Sequence, residues 1–204
     1  MSTSEFTFQS DVAPPVPIHR FTVAQYHALG EQGVLGPEDR VELLEGLIVQ
    51  KINQLPPHSF AIQLLSRWMY GNVLEMYGNV PESLVVRCQL PITLSASEPE
   101  PDFAIVAGAS DEYRQRHPSG DECRLLVEVA DTSLARDLGK AAIYASANVE
   151  EYWIVKIETQ SLLRMSMPDA GTYREVIEFQ RSESVELQLE DSLLRLALCD
   201  LFPA

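Results

Sequence analysis

The segment from Cys123 to Ala130 constrains the fold more than any other part of the chain. Its residues are apolar on both faces of a strand, apart from Arg124 and Glu128. Such a strand must be covered on both sides, which is typical of sheets that carry helices on their two faces. Strand-like and helical segments alternate along the rest of the chain, and we therefore predict an α/β fold with a mixed sheet.

Hydrophobic periodicity and turn signals predict the individual elements. Helices are expected from Val23, after an N-cap at Thr22, to Gly30 or Gly33; from His58 to about Tyr77; and, after a cap at Thr132 or Ser133, to about Ala147. The second helix carries five apolar residues near one side, namely Phe60, Leu64, Leu65, Trp68 and Met69. Strands are expected at residues 40–44, 47–51, 83–88, 90–94, 102–107, 123–130, 151–157, 161–167 and 172–180. A hairpin turn is expected at Glu45-Gly46.

Length and composition indicate a single soluble domain. The 204 residues, 46% of them hydrophobic, can bury one sizeable core. We expect the polar, proline-containing residues 1–19 to form an N-terminal arm and residues 20–204 to form the domain. A cytoplasmic location is expected, because the chain has neither a membrane-spanning apolar stretch nor a secretory signal. Three widely separated cysteines, Cys88, Cys123 and Cys199, predict buried thiols rather than disulfides.

The formal net charge of −15 argues against general nucleic-acid binding. Nonspecific affinity for nucleic acids comes mostly from Lys and Arg that neutralise phosphates, and the chain has only 15 such residues. Bound divalent cations can offset carboxylates locally, and a basic groove can coexist with an acidic exterior. The charge therefore excludes a general nucleic-acid-binding protein but leaves room for a metal-dependent nuclease.

Two acidic residues stand in otherwise apolar strands. Asp102 begins the strand at 102–107, and Glu128 lies within the strand at 123–130. A buried carboxylate costs several kcal/mol unless a cation or a donor compensates it. Mg²⁺ prefers hard oxygen ligands and is usually held by one or two carboxylates with water and substrate phosphate. One Mg²⁺ or Mn²⁺ ion, bound by Asp102, Glu128 and the backbone carbonyl of Val129, would explain both acids.

A lysine follows on the next predicted helix. Asp137, Lys140 and Tyr144 are spaced i, i+3 and i+7 and so share one side of that helix. The period of two in the preceding strand puts Glu128 on a face that should be covered. If the helix side faces the carboxyl end of the strand, Lys140 reaches the same site as Glu128. A lysine beside a metal ion can orient the nucleophile or stabilise charge on the scissile phosphate.

A purely structural role is the ordinary alternative for each of these residues. Asp102 could cap the start of a strand, and Glu128 could pair with Lys140 or Arg124. For one residue taken alone we favour the structural role, whereas two acids and a lysine in this order favour a site. His58 begins a helix and could touch substrate, although a cap or packing role is commoner. Tyr144, Tyr152 and Trp153 are expected in the core or an interface.

The order of the motifs resembles a known family. The matching segments are residues 40–46, Pro57-His58, Pro101-Asp102, Val127-Glu128-Val129, 137–145 and 149–155. Together they are similar to the Uma-type family of restriction endonucleases, which was long described as a domain of unknown function. That family belongs to the PD-(D/E)xK nuclease superfamily. The resemblance covers about residues 20–180.

The resemblance implies a restriction-endonuclease-like core, in which helices flank a mixed sheet. It also implies that Asp102 and Glu128 are the metal-binding acids, Lys140 the catalytic lysine and Glu42 a further acid near the site. In one place the chain departs from the superfamily pattern, because Ala130 stands where a lysine is usual, two residues after the acid. The family's lysine is found on the following helix, here as Lys140.

The sequence thus predicts a metal-dependent DNA endonuclease that hydrolyses phosphodiester bonds. Asp137 and His58 are additional candidates for its site. A homodimer is expected, because two sites would let a nuclease cut both strands. The alternative is a catalytically inactive protein of the same fold that serves as an oligomeric binding or regulatory module, and the acidic charge and Ala130 favour it.

Overall fold

The structure of the protein is a computed structural model that describes residues 17–76 and 84–203. Most of the predicted arm, residues 1–16, lies outside this range, and residues 17–19 belong to no helix or strand. The elements are α1 Val23–Glu31, β1 Val41–Leu44, β2 Leu47–Gln50, α2 Pro56–Met76, β3 Leu84–Cys88, β4 Phe103–Ala107, β5 Cys123–Ala130, α3 Leu134–Ser146, β6 Glu151–Lys156, β7 Ser161–Asp169, β8 Thr172–Gln180, β9 Ser184–Leu189, β10 Ser192–Ala197 and α4 Leu198–Leu201. Within the described ranges, every helix is too short or too polar to span a bilayer.

In the described chain, six strands form one mixed sheet in the order β3-β4-β5-β6-β7-β8. β5 and β6 run parallel, and the other neighbouring strands are antiparallel. α3 connects the parallel pair, as the crossover helix of a βαβ unit does. β1 pairs with β2 and β9 with β10 in two hairpins outside this sheet. The predicted α/β fold, a mixed sheet flanked by helices, is therefore confirmed.

β5 has the two covered faces that its sequence predicts. On one face, Leu125, Val127 and Val129 share a core cluster with α2, β9, β10 and α4. On the other face, Leu126 and Ala130 share a second cluster with Ile143 and Tyr144 of α3. The apolar layers on both sides fix the register of β5, because a slip by one residue would exchange its two faces. Glu128 consequently lies on the side of α3.

α2 contacts the core through most of the predicted residues, and Phe60 is the exception. Ala61, Leu65 and Met69 are buried, with one helical turn between successive residues, and Leu64 and Trp68 pack beside them. Phe60 is 49% exposed, so its predicted place on the buried side is wrong. The spacing of four residues along the buried line leaves Phe60 off that line.

The hairpin of β1 and β2 has the predicted turn. Glu45 and Gly46 both have positive φ, 50° and 74°, as the tight hairpin turns of type I′ require. A Cβ on Gly46 would lie only 2.6 Å from the Cβ of Arg20, so the close approach of the chain at this point also requires glycine. The turn therefore fixes β1 relative to the segment that precedes α1.

Two predictions differ from the structure. Residues 90–94 form a loop rather than a strand: Pro91 has no N–H, and the N–H groups of Ile92 and Leu94 donate locally to Pro99 and Ser97 at 3.0 and 2.9 Å. Among the cysteines, which are all free, only Cys123 is buried, while Cys88 is half-buried and Cys199 is exposed. The prediction of three buried thiols is therefore wrong for Cys88 and Cys199.

Candidate functional site

Four elements bring the predicted site residues to one pocket beside the carboxyl end of β5. β1 carries Glu42, the start of β4 follows Asp102, β5 carries Glu128 and α3 carries Lys140. Their side chains line a pocket of about 50 Å³ together with residues of the loop between β5 and α3. This volume is enough for a few water molecules or one hydrated ion. The structure therefore brings Glu42, Asp102, Glu128 and Lys140 together at one pocket.

β1 is anchored beside the pocket by the segment that precedes β4. The N–H of Glu98 donates to the carbonyl of Leu43 at 2.7 Å. Two residues later, the N–H of Glu100 donates to Oε2 of Glu42 at 3.3 Å. These bonds hold the Glu42 carboxylate at the floor of the pocket, where it is 1% exposed.

Lys140 joins two carboxylates that come from different strands. Its Nζ lies 2.9 Å from Oε1 of Glu128 and 3.0 Å from Oε2 of Glu42. The side chain is 1% exposed, and the hydroxyl of Tyr144, one turn further along α3, donates to Oε1 of Glu128 at 3.1 Å. A lysine can be buried at such a position because two acids compensate its charge. The predicted side of α3 with Asp137, Lys140 and Tyr144 is therefore the buried one.

Asp102 is held by three donors. Its Oδ2 accepts the N–H of Val129 at 2.8 Å and contacts Nε2 of His58 at 3.1 Å, while Oδ1 accepts Nε2 of Gln89 at 3.3 Å. His58 therefore contacts a site residue and lines the pocket, rather than only capping or packing α2. Val129 also lines the pocket, and the bond from its N–H to Asp102 is a contact that the sequence did not predict.

Asp137 is the one acidic residue of α3, and it is buried. Its Oδ2 accepts the hydroxyl of Ser133, which therefore bonds to a carboxylate rather than capping the backbone of α3. Its Oδ1 has no hydrogen-bond partner in the described chain, and Nε of Arg136 lies 3.5 Å away. Burial raises the pKa of Asp137 above its usual range, and Lys140 partly opposes this rise.

Burial dominates the electrostatics of the pocket. It raises the pKa of Glu128 to about 8, although the ammonium of Lys140 acts in the opposite direction. Burial lowers the pKa of Lys140, but the carboxylates of Glu128, Glu42 and Asp137 together raise it above the usual lysine value. The lysine therefore keeps its proton, and the acids compete for one nearby positive charge.

The donor set fits a hard divalent cation. Glu42, Asp102, Glu128 and Asp137 are buried, with the buried Lys140 and the partly buried Arg136 beside them. Oε1 of Glu42 is buried without a hydrogen-bond partner in the described chain. No three His, Cys, Asp or Glu residues of the described ranges surround one point as a preformed cage. Mg²⁺ does not require such a cage, because it keeps several waters and uses one or two carboxylates.

Arg40, Gln89 and Arg136 line the pocket although they were not among the sequence candidates. Arg40 follows a short 3-10 helix at Pro37–Asp39 and has a positive φ of 46°. Gln89 follows β3 with a positive φ of 52°. Neither conformation has a clear signal in the sequence. Arg136 could have been noticed, because it lies between Ser133 and Asp137 on the first turn of the helix that carries Lys140.

The comparisons with known proteins agree with this fold. The chain is similar to a crystal structure described as a "putative nuclease belonging to DUF820" from Anabaena variabilis ATCC 29413, with a TM-score of 0.68 and 17% sequence identity. The similarity covers 91% of this chain and 98% of that one. No curated protein sequence matches the chain. The family model described as "Uma2: Putative restriction endonuclease" matches residues 23–198, and the chain therefore belongs to the Uma2 family.

Proposed function

We propose that this protein is a Mg²⁺- or Mn²⁺-dependent endonuclease of the PD-(D/E)xK type that hydrolyses phosphodiester bonds of DNA. Membership of a family described as restriction endonucleases supports nuclease activity. The buried carboxylates and the lysine in one pocket support metal dependence, and they support this pocket as the location of the active site. Asp102, Glu128 and Lys140 are its central residues, with Glu42, Asp137 and His58 beside them.

The observation that carries this proposal is the contact of Lys140 with Glu128. The superfamily pattern has its lysine two residues after the acid, where this chain has Ala130. Catalysis depends on where the ammonium group lies and not on the residue that carries it. Lys140 brings its ammonium from α3 to 2.9 Å from the Glu128 carboxylate. Its position supports the proposal that the lysine of the motif has moved to the helix.

Asp102 and Glu128 would hold the metal ion, with the carbonyl of Val129 and Oε1 of Glu42 as further oxygen ligands. An ion held there would supply Lewis-acid polarisation of the phosphoryl group and a bound water of lowered pKa. Lys140 adds a fixed positive charge, held in place by two carboxylates. His58 and the N–H of Val129 orient the Asp102 carboxylate, and Tyr144 orients that of Glu128. Such preorganisation avoids the cost of ordering these groups during the reaction.

DNA as substrate and a homodimer as the active form belong to the same proposal. Two copies of the site would allow both strands of a duplex to be cut. The cytoplasmic location stays a prediction from the sequence, as does the division into an arm and one domain. Size-exclusion chromatography with light scattering, with and without duplex DNA, tests the homodimer.

A binding or regulatory module without catalysis is the second candidate, and the net charge of −15 favours it. In that case the ion pairs of Lys140 would stabilise the fold alone, and phosphate contacts would be too few for nucleic-acid affinity at moderate salt. The two candidates differ in whether a divalent cation binds and whether it confers cleavage.

The test is a cleavage assay on supercoiled plasmid, linear duplex, single-stranded DNA and RNA, with Mg²⁺, Mn²⁺ or EDTA. We expect cleavage that requires a divalent cation and is lost in Glu128→Gln. Glu150→Gln is the matched control, because Glu150 is an exposed acid that pairs with Arg124 away from the pocket. Activity that survives in Glu128→Gln would reveal a contaminating nuclease and overturn the proposal. Absence of cleavage on every substrate would favour the binding module.

A further inference from the structure

Arg136 lines the pocket and has N–H groups without a hydrogen-bond acceptor among the described residues. Its Nε and Nη1 atoms are buried and have no hydrogen-bond partner in the described part of the chain. The residue lines the same pocket as Glu42, Asp102 and Glu128. Leaving buried N–H groups unpaired is costly, and a charged group costs more than a neutral one. Such a group needs an explanation.

The neighbouring acid does not provide this explanation. Oδ1 of Asp137 lies 3.5 Å from Nε of Arg136, yet neither atom is in a hydrogen bond. Oδ2 of Asp137 is already bonded to Ser133. The contact is thus a long ion pair that positions the guanidinium of Arg136 but does not provide a hydrogen-bond acceptor for its N–H groups. An arginine fork matches the oxygens of a carboxylate or phosphate with two parallel bonds.

A second arginine at the same pocket, Arg40, has no acidic ion-pair partner among the described residues. Arg40 donates to Oδ1 of Asn53 at 2.7 Å but has no ion pair with an acid among the described residues. By contrast, Lys51, which lines the pocket as well, pairs with Glu100. Arg40 has no carboxylate partner in the described chain, and Arg136 has only its long ion pair with Asp137, which is unexpected in a chain with twice as many acidic as basic residues. An anionic ligand that arrives from outside would use them.

We propose that Arg136 is a phosphate-binding residue of the candidate site, with its partly exposed guanidinium donating to the nonbridging oxygens of one backbone phosphate of DNA. Arg40 is the second cation on the rim of the same phosphate subsite. This inference rests on the proposed function. It explains how an acidic protein could hold an anionic substrate, because the affinity for DNA would come from a few directed arginine contacts and not from a basic surface. Arg136 binds substrate, whereas the ammonium of Lys140 is already engaged in ion pairs with Glu42 and Glu128.

The experiment measures binding of a fluorescein-labelled DNA duplex by fluorescence anisotropy, with Ca²⁺ in place of Mg²⁺ and a denaturing gel to verify that the DNA stays intact. Wild type is compared with Arg136→Ala, Arg136→Lys and Arg124→Ala. Arg124 is the matched control, because it is an arginine of β5 that pairs with Glu150 outside the pocket. Thermal unfolding of each variant verifies the fold, and calorimetry with Mg²⁺ alone reports the metal site separately.

We expect Arg136→Ala to weaken DNA binding about tenfold, because a hydrogen-bonded charged contact is lost. The slope of log Kd against log salt should fall by about one. Arg136→Lys should keep the salt slope of wild type, and its DNA affinity should lie between those of wild type and Arg136→Ala. Lysine keeps the positive charge but lacks the two parallel donors of the guanidinium. Equal DNA affinity and salt slope in wild type and Arg136→Ala, with Mg²⁺ binding intact, would overturn this inference and leave the proposed function standing. Loss in Arg124→Ala equal to that in Arg136→Ala would also overturn it. Absence of Mg²⁺ binding and of DNA binding in wild type would overturn both proposals.

Discussion

The ammonium of Lys140 on α3 lies 2.9 Å from the carboxylate of Glu128 on β5, and the same ammonium lies 3.0 Å from Glu42 on β1. One side chain thus connects three elements at a buried point. Two carboxyl groups therefore share one ammonium group, and burial raises the pKa of one of them, Glu128.

Removal of the lysine should destabilise the metal-free protein strongly. Lys140→Ala leaves Glu42 and Glu128 without their cation, and breaking a buried pair costs about 3–5 kcal/mol. Lys156→Ala is the matched control, because its partner Glu178 is exposed and such pairs contribute about 1 kcal/mol or less. Urea unfolding in EDTA measures both values. Equal losses in the two variants would contradict the central role of Lys140 in the pocket.

Metal-free stability should depend on the protonation of Glu128. Because burial raises its pKa to about 8, the folded protein keeps a proton that the unfolded chain has already released at lower pH. The free energy of unfolding should therefore fall as the pH rises from the usual carboxyl range through about 8 and then change little. Glu128→Gln should lack this fall. Thermal unfolding of both proteins in EDTA across that pH range measures this difference. Coinciding stability profiles of wild type and Glu128→Gln would count against the prediction.

His58 should support metal binding through Asp102. Hydrogen-bond partners of ligating groups typically contribute 10- to 100-fold in metal affinity, and His58 contacts Oδ2 of Asp102. We expect calorimetry to show Mg²⁺ affinity reduced by about that factor in His58→Ala. His19→Ala, a change at an exposed position, should leave the affinity as in wild type. If the Mg²⁺ affinity of His58→Ala equalled that of wild type, His58 would have only a packing role.

The three thiols should differ in reactivity. Only a thiolate reacts readily, and burial raises the pKa of Cys123 to about 12. Iodoacetamide should therefore label Cys199, which is exposed, first and Cys123 only after unfolding. Peptide mass spectrometry of a time course measures the order. Early labelling of Cys123 in the folded protein would contradict the covered position of β5.

Local patterns were sufficient to predict most of the fold. The two apolar faces of β5 imply layers on both sides, and the turn at Glu45-Gly46 defines the first hairpin. Periodicity also predicted which side of α3 carries Asp137 and Lys140. It failed for residues 90–94, where a strand-like composition forms a loop held by local hydrogen bonds. It failed for Phe60 as well, because an apolar residue beside the buried line of a helix has no signal that distinguishes it.

Long-range contacts of the site could be predicted only in part. The acids and Lys140 were recognisable because a charged residue in an apolar strand needs a partner. The contacts of His58 and Gln89 with Asp102 depend on how α2 and the end of β3 pack, over separations of 44 and 13 residues. Arg136 was missed because charged residues on the first turn of a helix are usually solvated. Its unpaired N–H groups are visible only in three dimensions.

The account depends most directly on a divalent ion that binds where Asp102 and Glu128 line one pocket. Anomalous scattering from crystals grown with Mn²⁺ locates such an ion without reference to activity. We predict a single strong peak bound by these two carboxylates, close to the ammonium of Lys140, and loss of the peak in crystals of Glu128→Gln. A wild-type crystal without a peak in the pocket at saturating Mn²⁺, or with its peak only at surface acids, would contradict the proposed metal centre.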